Sequence, residues 1–315
     1  MQPLKERHVQ IEQVPEGFTG QRLDNYLIKI LKGVPKGLIY RLIRKGAIKV
    51  NGKRSKVHDR VSAGDQLSIP PLRQTLPKEA ISVTPQMRQA LTSAIVYEDE
   101  NLLVMNKPAG MAVHAGSGVS VGLIDLLRAM RPSDPFLELV HRLDRETSGC
   151  LLIAKKRSVL NELHEAFRQG AVTKEYIALT KGRWPKTVNR VDVSLEKNKT
   201  VAKERVTAVE AQGKSALSEF HVLKDFGFAS LMKVKLFTGR THQIRVHAQY
   251  AEHPIAGDEK YGDKGFNKTM RQKGCKRLFL HAQYVTLRLE GYEHSLKFNA
   301  PLDPVLENFL DLLKA

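Results

Sequence analysis

The stretch His141-Arg142-Leu143-Asp144-Arg145-Glu146-Thr147-Ser148-Gly149-Cys150-Leu151-Leu152-Ile153-Ala154-Lys155 decides how the rest of the chain is read. Its first part is dense in charges of both signs. It closes on Ser148-Gly149 and passes directly into five apolar residues, 150–154. A short apolar run after a turn signal reads as a strand buried on both faces. Asp144 is then on a loop at the mouth of a core strand, where a rigid scaffold can hold a polar residue in place. Between Arg142 and Arg145 its carboxylate is expected to stay ionised, because nearby cations favour the charged form. Taken alone, an Arg-x-Asp is more often a charged surface turn than a site.

The 315 residues are enough for two domains with a sizeable core. The formal net charge is +18. An excess of that size points to a polyanionic partner, either nucleic acid or an anionic membrane surface. No apolar run reaches the roughly 18 residues that a membrane-spanning helix needs. Residues 1–10 lack the apolar core of a secretory signal. The two cysteines, Cys150 and Cys275, lie far apart, and Cys150 is expected as a buried free thiol. That usage fits the cytoplasm. A monomer is the expectation.

Residues 1–19 read as a polar lead-in with one short strand near 9–14. From Arg22 the pattern sharpens. Leu23, Tyr26, Leu27, Ile30 and Leu31 form one apolar helix face, ended by Gly33-Val34-Pro35. A second helix is expected over 36–45, with Leu38, Ile39, Leu42 and Ile43 inward and Arg41, Arg44 and Lys45 on the other face. Residues 48–50 read as a strand, Asn51-Gly52 as a tight turn, and 66–69 as a last strand stopped by Pro70-Pro71. Residues 20–73 hold thirteen Lys and Arg against three acids, more than half of the chain's net charge. A compact helix-helix-strand module with a basic face is an electrostatic footprint for nucleic acid. Its contacts would be mostly to phosphates, positioning the protein without reading sequence. Residues 73–92 read as a linker, for which relative domain motion is the default.

The second domain, 93–315, opens with a hairpin whose second strand, 102–105, is fully apolar. A Gly116-Ser117-Gly118 run with Gly122 beyond is read as a loop, not a dinucleotide site. Helices are expected near 120–130, from a Ser158 cap to Gly170, over 241–251 and over 301–314, the last burying Val305, Leu306, Phe309 and Leu313. Residues 181–215 read as peripheral strand and loop. Hairpins are expected across 225–228 and 290–291. Adjacent hairpins with interspersed helices give an α+β fold with a mainly antiparallel sheet.

The run from His141 closely resembles the signature loop of the RluA-type pseudouridine synthases, matching at Arg142, Asp144, Thr147, Ser148 and Gly149. Asn106-Lys107-Pro108-Ala109-Gly110, Lys174-x-Tyr176 and the segment from Gly239 to His247 resemble further motifs of that family. The small module resembles the S4 RNA-binding domain, with Gly20, Arg22, Leu23 and Asp24 at its start and Val50-Asn51-Gly52 at its turn. Within the family, Gly33-Val34-Pro35-Lys36 and the segment from Arg277 to Ala282 are most like members that act on large-subunit ribosomal RNA.

The resemblance implies an S4-like domain at 20–72, a linker, and a catalytic domain that isomerises uridine to pseudouridine. By resemblance Asp144 is the catalytic carboxylate. Arg142 is placed to fill the space of a flipped-out uridine, Tyr176 to stack on the uracil, and Arg245 to pair with Asp144. Whether Arg240 or Arg245 faces Asp144 does not follow from sequence. Asp144 can attack C1′, add at C6 or take a sugar proton, and these stay open. The reaction adds no group and changes no oxidation state, so no cofactor is expected. His242, His247 and His253 suggest a metal, but their spacing does not stack imidazoles on one helix face, and none is expected. Two competing readings are a non-catalytic RNA-binding assembly factor and the same enzyme acting on transfer RNA. An intact Asp144 loop speaks against the first.

Overall fold

A computed structural model describes residues 9–313 apart from 32, 73–80, 116–118, 186, 188, 202 and 203. The Gly116-Ser117-Gly118 loop, the start of the lead-in, much of the linker and the end of the last helix lie outside the described residues.

The small module has two helices, Leu23–Ile30 and Lys36–Arg44, and four strands, Gln10–Gln13, Lys49–Val50, Lys53–Arg54 and Gln66–Ile69. Gln66–Ile69 lies between Gln10–Gln13 and Lys49–Val50, all antiparallel. Asn51 and Gly52, at φ 51° and 75°, make the tight turn, which needs positive φ at both positions. Leu23, Leu27, Ile39, Ile43, Ile48 and Leu67 fill the core. Val14 and Phe18, from the stretch read as lead-in, are buried in the same core. Their segment is polar in composition, and strand pairing with two buried side chains helps tie it down.

Ten strands among the described residues form the large sheet. Eight lie in the order Arg190–Asp192, Leu217–Asp225, Ala229–Leu236, Thr173–Lys181, Leu280–Leu287, Ser148–Ala154, Leu102–Lys107 and Ile95–Glu98. Leu296–Asn299 pairs with Leu280–Leu287, and Glu138–Leu139 with Ser148–Ala154. The fold is α+β, and every pairing is antiparallel except His281↔Ser148 and Ala282↔Gly149. The strand Ser148–Ala154 is buried along its whole length. Leu151 and Ile153 enter one core, while Cys150, Leu152 and Ala154 enter the other. Cores on both faces explain the unbroken apolar run.

Several local expectations change. Helix Pro85–Ser93 occupies the end of the stretch read as linker, capped by the Thr84 hydroxyl, which accepts from the Met87 N–H, with Leu91 buried. One buried side chain leaves too little periodicity to detect. Ser158 is not a cap. The helix Arg157–Arg168 begins two residues earlier than that cap implies, with Lys156 at the cap and no side-chain cap bond. The last helix, Pro304–Leu312, buries Leu306 and Phe309, but Val305 is 56% exposed because it projects from the opposite face. Helix Lys264–Gln272 had no clear pattern. The strands Leu195–Val201 and Glu204–Val209 pair as an antiparallel ribbon.

The two modules touch. The rings of Phe18 and Phe136 meet edge to face at 5.9 Å. Lys29 Nζ donates to Glu138 Oε1 at 2.5 Å, and Arg128 pairs with the same carboxylate at 2.8 Å. No helix among the described residues is long and apolar enough to cross a membrane.

Gly149 sits at φ 113°, and a Cβ there would lie 2.2 Å from the Ala282 carbonyl oxygen. Backbone conformation and strand spacing both require glycine. Gly149→Ala is expected to destabilise the protein by at least about 3 kcal/mol, read from urea denaturation. A loss below about 1 kcal/mol would mean that the parallel pairing relaxes freely.

Candidate active site

The Asp144 loop ends where the core strand begins. Leu143 is buried beneath it, and the Thr147 N–H donates to the Asp144 carbonyl at 3.2 Å to close the turn. The adjoining Ser148 fixes the strand end. His281 Nε2 bonds the Ala300 carbonyl at 2.9 Å, so its N–H lies there and its Nδ1 accepts from the Ser148 hydroxyl at 2.8 Å. Arg277 donates to the same hydroxyl at 2.5 Å.

A second brace is Lys107, which is fully buried. Its three N–H bonds reach the carbonyls of Pro108, Met111 and Arg145 at 2.8, 2.9 and 3.1 Å. Arg145 Nε donates to the Gly110 carbonyl at 3.0 Å, and the Gly110 N–H returns to the Arg145 carbonyl at 2.9 Å. The loop carrying Asp144 is thereby tied to the turn at 107–111. Burial pushes the Lys107 ammonium down to about 7.

Asp144 opens into a cleft of about 230 Å³. Its other walls include His141, Arg142, Phe167, Lys174, Tyr176, Arg240, His242, Ile244 and Arg245. Asp144 is the only carboxylate among the described lining residues, in a wall with four Lys and Arg side chains. Such a cleft attracts a polyanion while keeping one anionic group at its base. The carboxylate is 20% exposed.

Arg245 Nη1 lies 3.5 Å from Asp144 Oδ2, at the outer edge of hydrogen-bond range. Arg240 instead donates to the Ser215 carbonyl at 3.0 Å, so the arginine facing Asp144 is Arg245. Its strongest partner is a residue not singled out from sequence. Arg245 Nε and Nη2 form a bidentate pair with Asp258 at 2.7 and 2.8 Å. Burial raises the Asp258 carboxyl, but the hydrogen bonds and charge of Arg245 outweigh it and hold the carboxyl below its ordinary value. Backbone N–H groups of Lys260 and Tyr261 also donate to it at 2.9 Å. The guanidinium lies 4.9 Å from the centre of the Tyr261 ring.

Tyr176 is buried in the cleft wall on the strand Thr173–Lys181. Burial, with the Asp144 charge, raises its hydroxyl pKa, so it stays a neutral, flat apolar surface beside the carboxylate. Arg142 is exposed at the rim and has no ion pair among the described residues. Lys174 lies over the Phe167 ring at 5.6 Å, and burial lowers its ammonium pKa. Arg41, Arg44 and Lys45 are exposed on the small module, away from the lining of this cleft.

The three histidines separate. His242 faces Asp144, with Nε2 at 3.8 Å from Oδ1. His247 is buried. His253 Nδ1 bonds the Lys181 carbonyl at 2.7 Å. No cluster of three or more metal-ligating side chains occurs among the described residues. Asp258 and Tyr261 were not singled out from sequence, while Lys107, Lys174 and His242 were named within motifs or as a metal candidate but given no place at the site. The available signal was a charged residue directly after Ile255-Ala256-Gly257, where an apolar run meets a turn.

An RNA pseudouridylate synthase family model matches residues 101–250, and an S4 domain model matches residues 21–67. This fold and this cleft, one carboxylate among cations in a mainly antiparallel sheet beside an S4 module, are those of a pseudouridine-forming enzyme. The chain belongs to the RNA pseudouridylate synthase family. It is similar to the ribosomal large subunit pseudouridine synthase C of Pasteurella multocida, 48% identical over 97% of this chain and 94% of the relative. It is also similar to the protein of the same name from Escherichia coli, 46% identical over 97% of both chains. Among solved structures it resembles human RNA pseudouridylate synthase domain containing 4. The TM-score is 0.61 at 26% identity, covering 73% of this chain and 96% of that one.

Asp258→Asn would leave the Arg245 guanidinium buried against a neutral amide. The expected loss is about 3–5 kcal/mol at pH 7, measured by urea denaturation. A carboxyl depressed in the fold contributes stability above its unfolded pKa of about 3.9 and loses it as pH falls through the folded value. The gap between wild type and Asp258→Asn should therefore close in acid. A gap that stays constant into acid would rule out ionised Asp258 as its source.

Proposed function

We propose that this RNA pseudouridine synthase acts on uridines of large-subunit ribosomal RNA and that Asp144 is its reacting carboxylate. The observation that carries the reading is a lone, partly exposed carboxylate beside Arg245 and the Tyr176 ring in an otherwise cationic cleft. The names of the close relatives support the choice of RNA. The chain works as a monomer in the cytoplasm.

The reaction breaks N1–C1′, turns the uracil within the site and forms C5–C1′. A proton leaves C5 and one is gained at N1, so nothing is added or removed overall. Glycosidases normally need a second carboxylic acid to protonate the leaving group. Uracil leaves as a stabilised anion and must stay bound, so one carboxylate suffices. A stacked uridine cannot reach Asp144 and is flipped out, at roughly a few kcal/mol. Arg142 at the exposed rim fills the vacated space, its planar guanidinium suited to stacking on bases. Tyr176 carries the uracil. Residues 20–72 hold the RNA through Arg41, Arg44 and Lys45, and residues 93–315 do the chemistry.

Pseudouridines mapped in ribosomal RNA from cells lacking the protein should show missing sites that return with wild type and not with Asp144→Asn. In vitro, Asp144→Asn should slow the reaction at least about a thousandfold. Restoration of the sites by Asp144→Asn would remove that residue from the chemistry. An unchanged ribosomal map would exclude this substrate and turn the search to transfer RNA.

Arg41→Ala with Arg44→Ala should weaken RNA binding and lower the salt slope by about one for each phosphate no longer held. An unchanged slope would place the RNA on another face.

A further inference from the structure

We infer that Tyr261 and His242 form a positioning relay that presents a neutral N–H donor to one oxygen of Asp144 while Arg245 faces the other. The inference rests on the reading of Asp144 as the reacting carboxylate and extends it to two residues that act through it.

The direction inferred for the relay starts from the Tyr261 oxygen. The Thr207 N–H donates to the Tyr261 oxygen at 3.0 Å. A backbone N–H can only donate, and the Thr207 side chain also bonds the Tyr261 oxygen in the sense that lowers its pKa, as a donor does, so the tyrosine's own hydrogen goes to its remaining partner. That partner is His242 Nδ1 at 2.8 Å. With Nδ1 accepting, a neutral imidazole carries its hydrogen on Nε2. Nε2 is the atom 3.8 Å from Asp144 Oδ1, and Arg245 lies on the Oδ2 side. The His242–Asp144 separation exceeds a hydrogen bond, but contacts of this kind tighten when substrate fills the site.

The backbone is held for this purpose. His242 has φ 56°, left-handed and uncommon for a residue other than glycine, and it immediately precedes helix Gln243–Tyr250. The Gln243 side chain holds the turn, accepting from Arg240 N at 2.9 Å and donating to the Leu217 carbonyl at 3.0 Å. Tyr261 itself lies under Arg245, so one ring supports both donors to the carboxylate.

The charge state matters. The charged groups acting on His242 are Asp144, Arg245, Lys260 and Asp258. Burial lowers the ring's pKa more than the Asp144 charge raises it, which leaves the imidazole neutral at pH 7. A neutral donor orients Asp144, whereas an imidazolium would pair with it and reduce its reactivity. Protonation at Nδ1 must displace the Tyr261 O–H, so the phenol resists it.

The test uses the full chain and large-subunit ribosomal RNA isolated from cells lacking the protein. Tyr261→Phe keeps the ring beneath Arg245 and removes the O–H. Its single-turnover rate at pH 7 is expected to fall about tenfold, with RNA affinity unchanged. The acid limb of its pH–rate profile should move up by about one pH unit. His242→Gln, which keeps a neutral N–H donor, should retain more of the rate than His242→Ala and lose the acid limb. Ring nitrogen NMR of the free protein should show the Nε2–H tautomer in wild type. A Nδ1–H tautomer, or a Tyr261→Phe profile that keeps the wild-type shape, overturns the relay. Asp144→Asn separates the two ideas. Retained activity there defeats the reading of Asp144, while the NMR tautomer tests the hydrogen-bond direction without any turnover.

Discussion

A buried guanidinium must be paired, and in this protein that requirement organises the site. Arg245 is 8% exposed, and its bidentate bonds to Asp258 use one edge of its fork. The remaining Nη1 is left to face Asp144. Asp258 is thus the counterion that makes the burial of Arg245 possible, and Asp144 receives a positive neighbour without neutralising it by tight contact. A full bidentate pair between Arg245 and Asp144 would hold the carboxylate too firmly for the role proposed for it. Sharing the arginine leaves Asp144 free on its cleft side.

The scaffold supplies the rigidity that this arrangement needs. Ser148–Ala154 lies between two cores and cannot shift without moving both. At its start, glycine lets the backbone approach Ala282 closely, and Ser148 is locked by His281 and Arg277. Lys107 ties the far side of the Asp144 loop through three carbonyls. The loop is therefore short, closed at both ends and set on buried β-structure, as the reactive role proposed for Asp144 requires. The small module adds its own contact through Phe18, Lys29, Phe136 and Glu138. That contact gives the basic helix face a defined place beside the synthase domain.

The Asp144 loop, the apolar strand after it, the basic small module and the antiparallel hairpins were all legible in the residues, because each is a local pattern. Charge clusters, turn glycines and apolar periodicity report on neighbours a few residues apart. Arg245 was legible through resemblance, and its choice over Arg240 became clear only when Arg240 was seen to bond Ser215. Helix Pro85–Ser93 escaped because it buries only Leu91.

Sequence alone determined that a carboxylate flanked by arginines sits at the mouth of a core strand in a basic, two-part chain. Tertiary structure decided which side chains meet it. Asp258 lies thirteen residues from Arg245, Thr207 lies fifty-four from Tyr261, and Lys107 lies thirty-eight from Arg145. Partners this distant leave no periodic trace. Their pairing follows from the need of each buried charge and hydrogen-bonding group to be satisfied once the chain has closed around it.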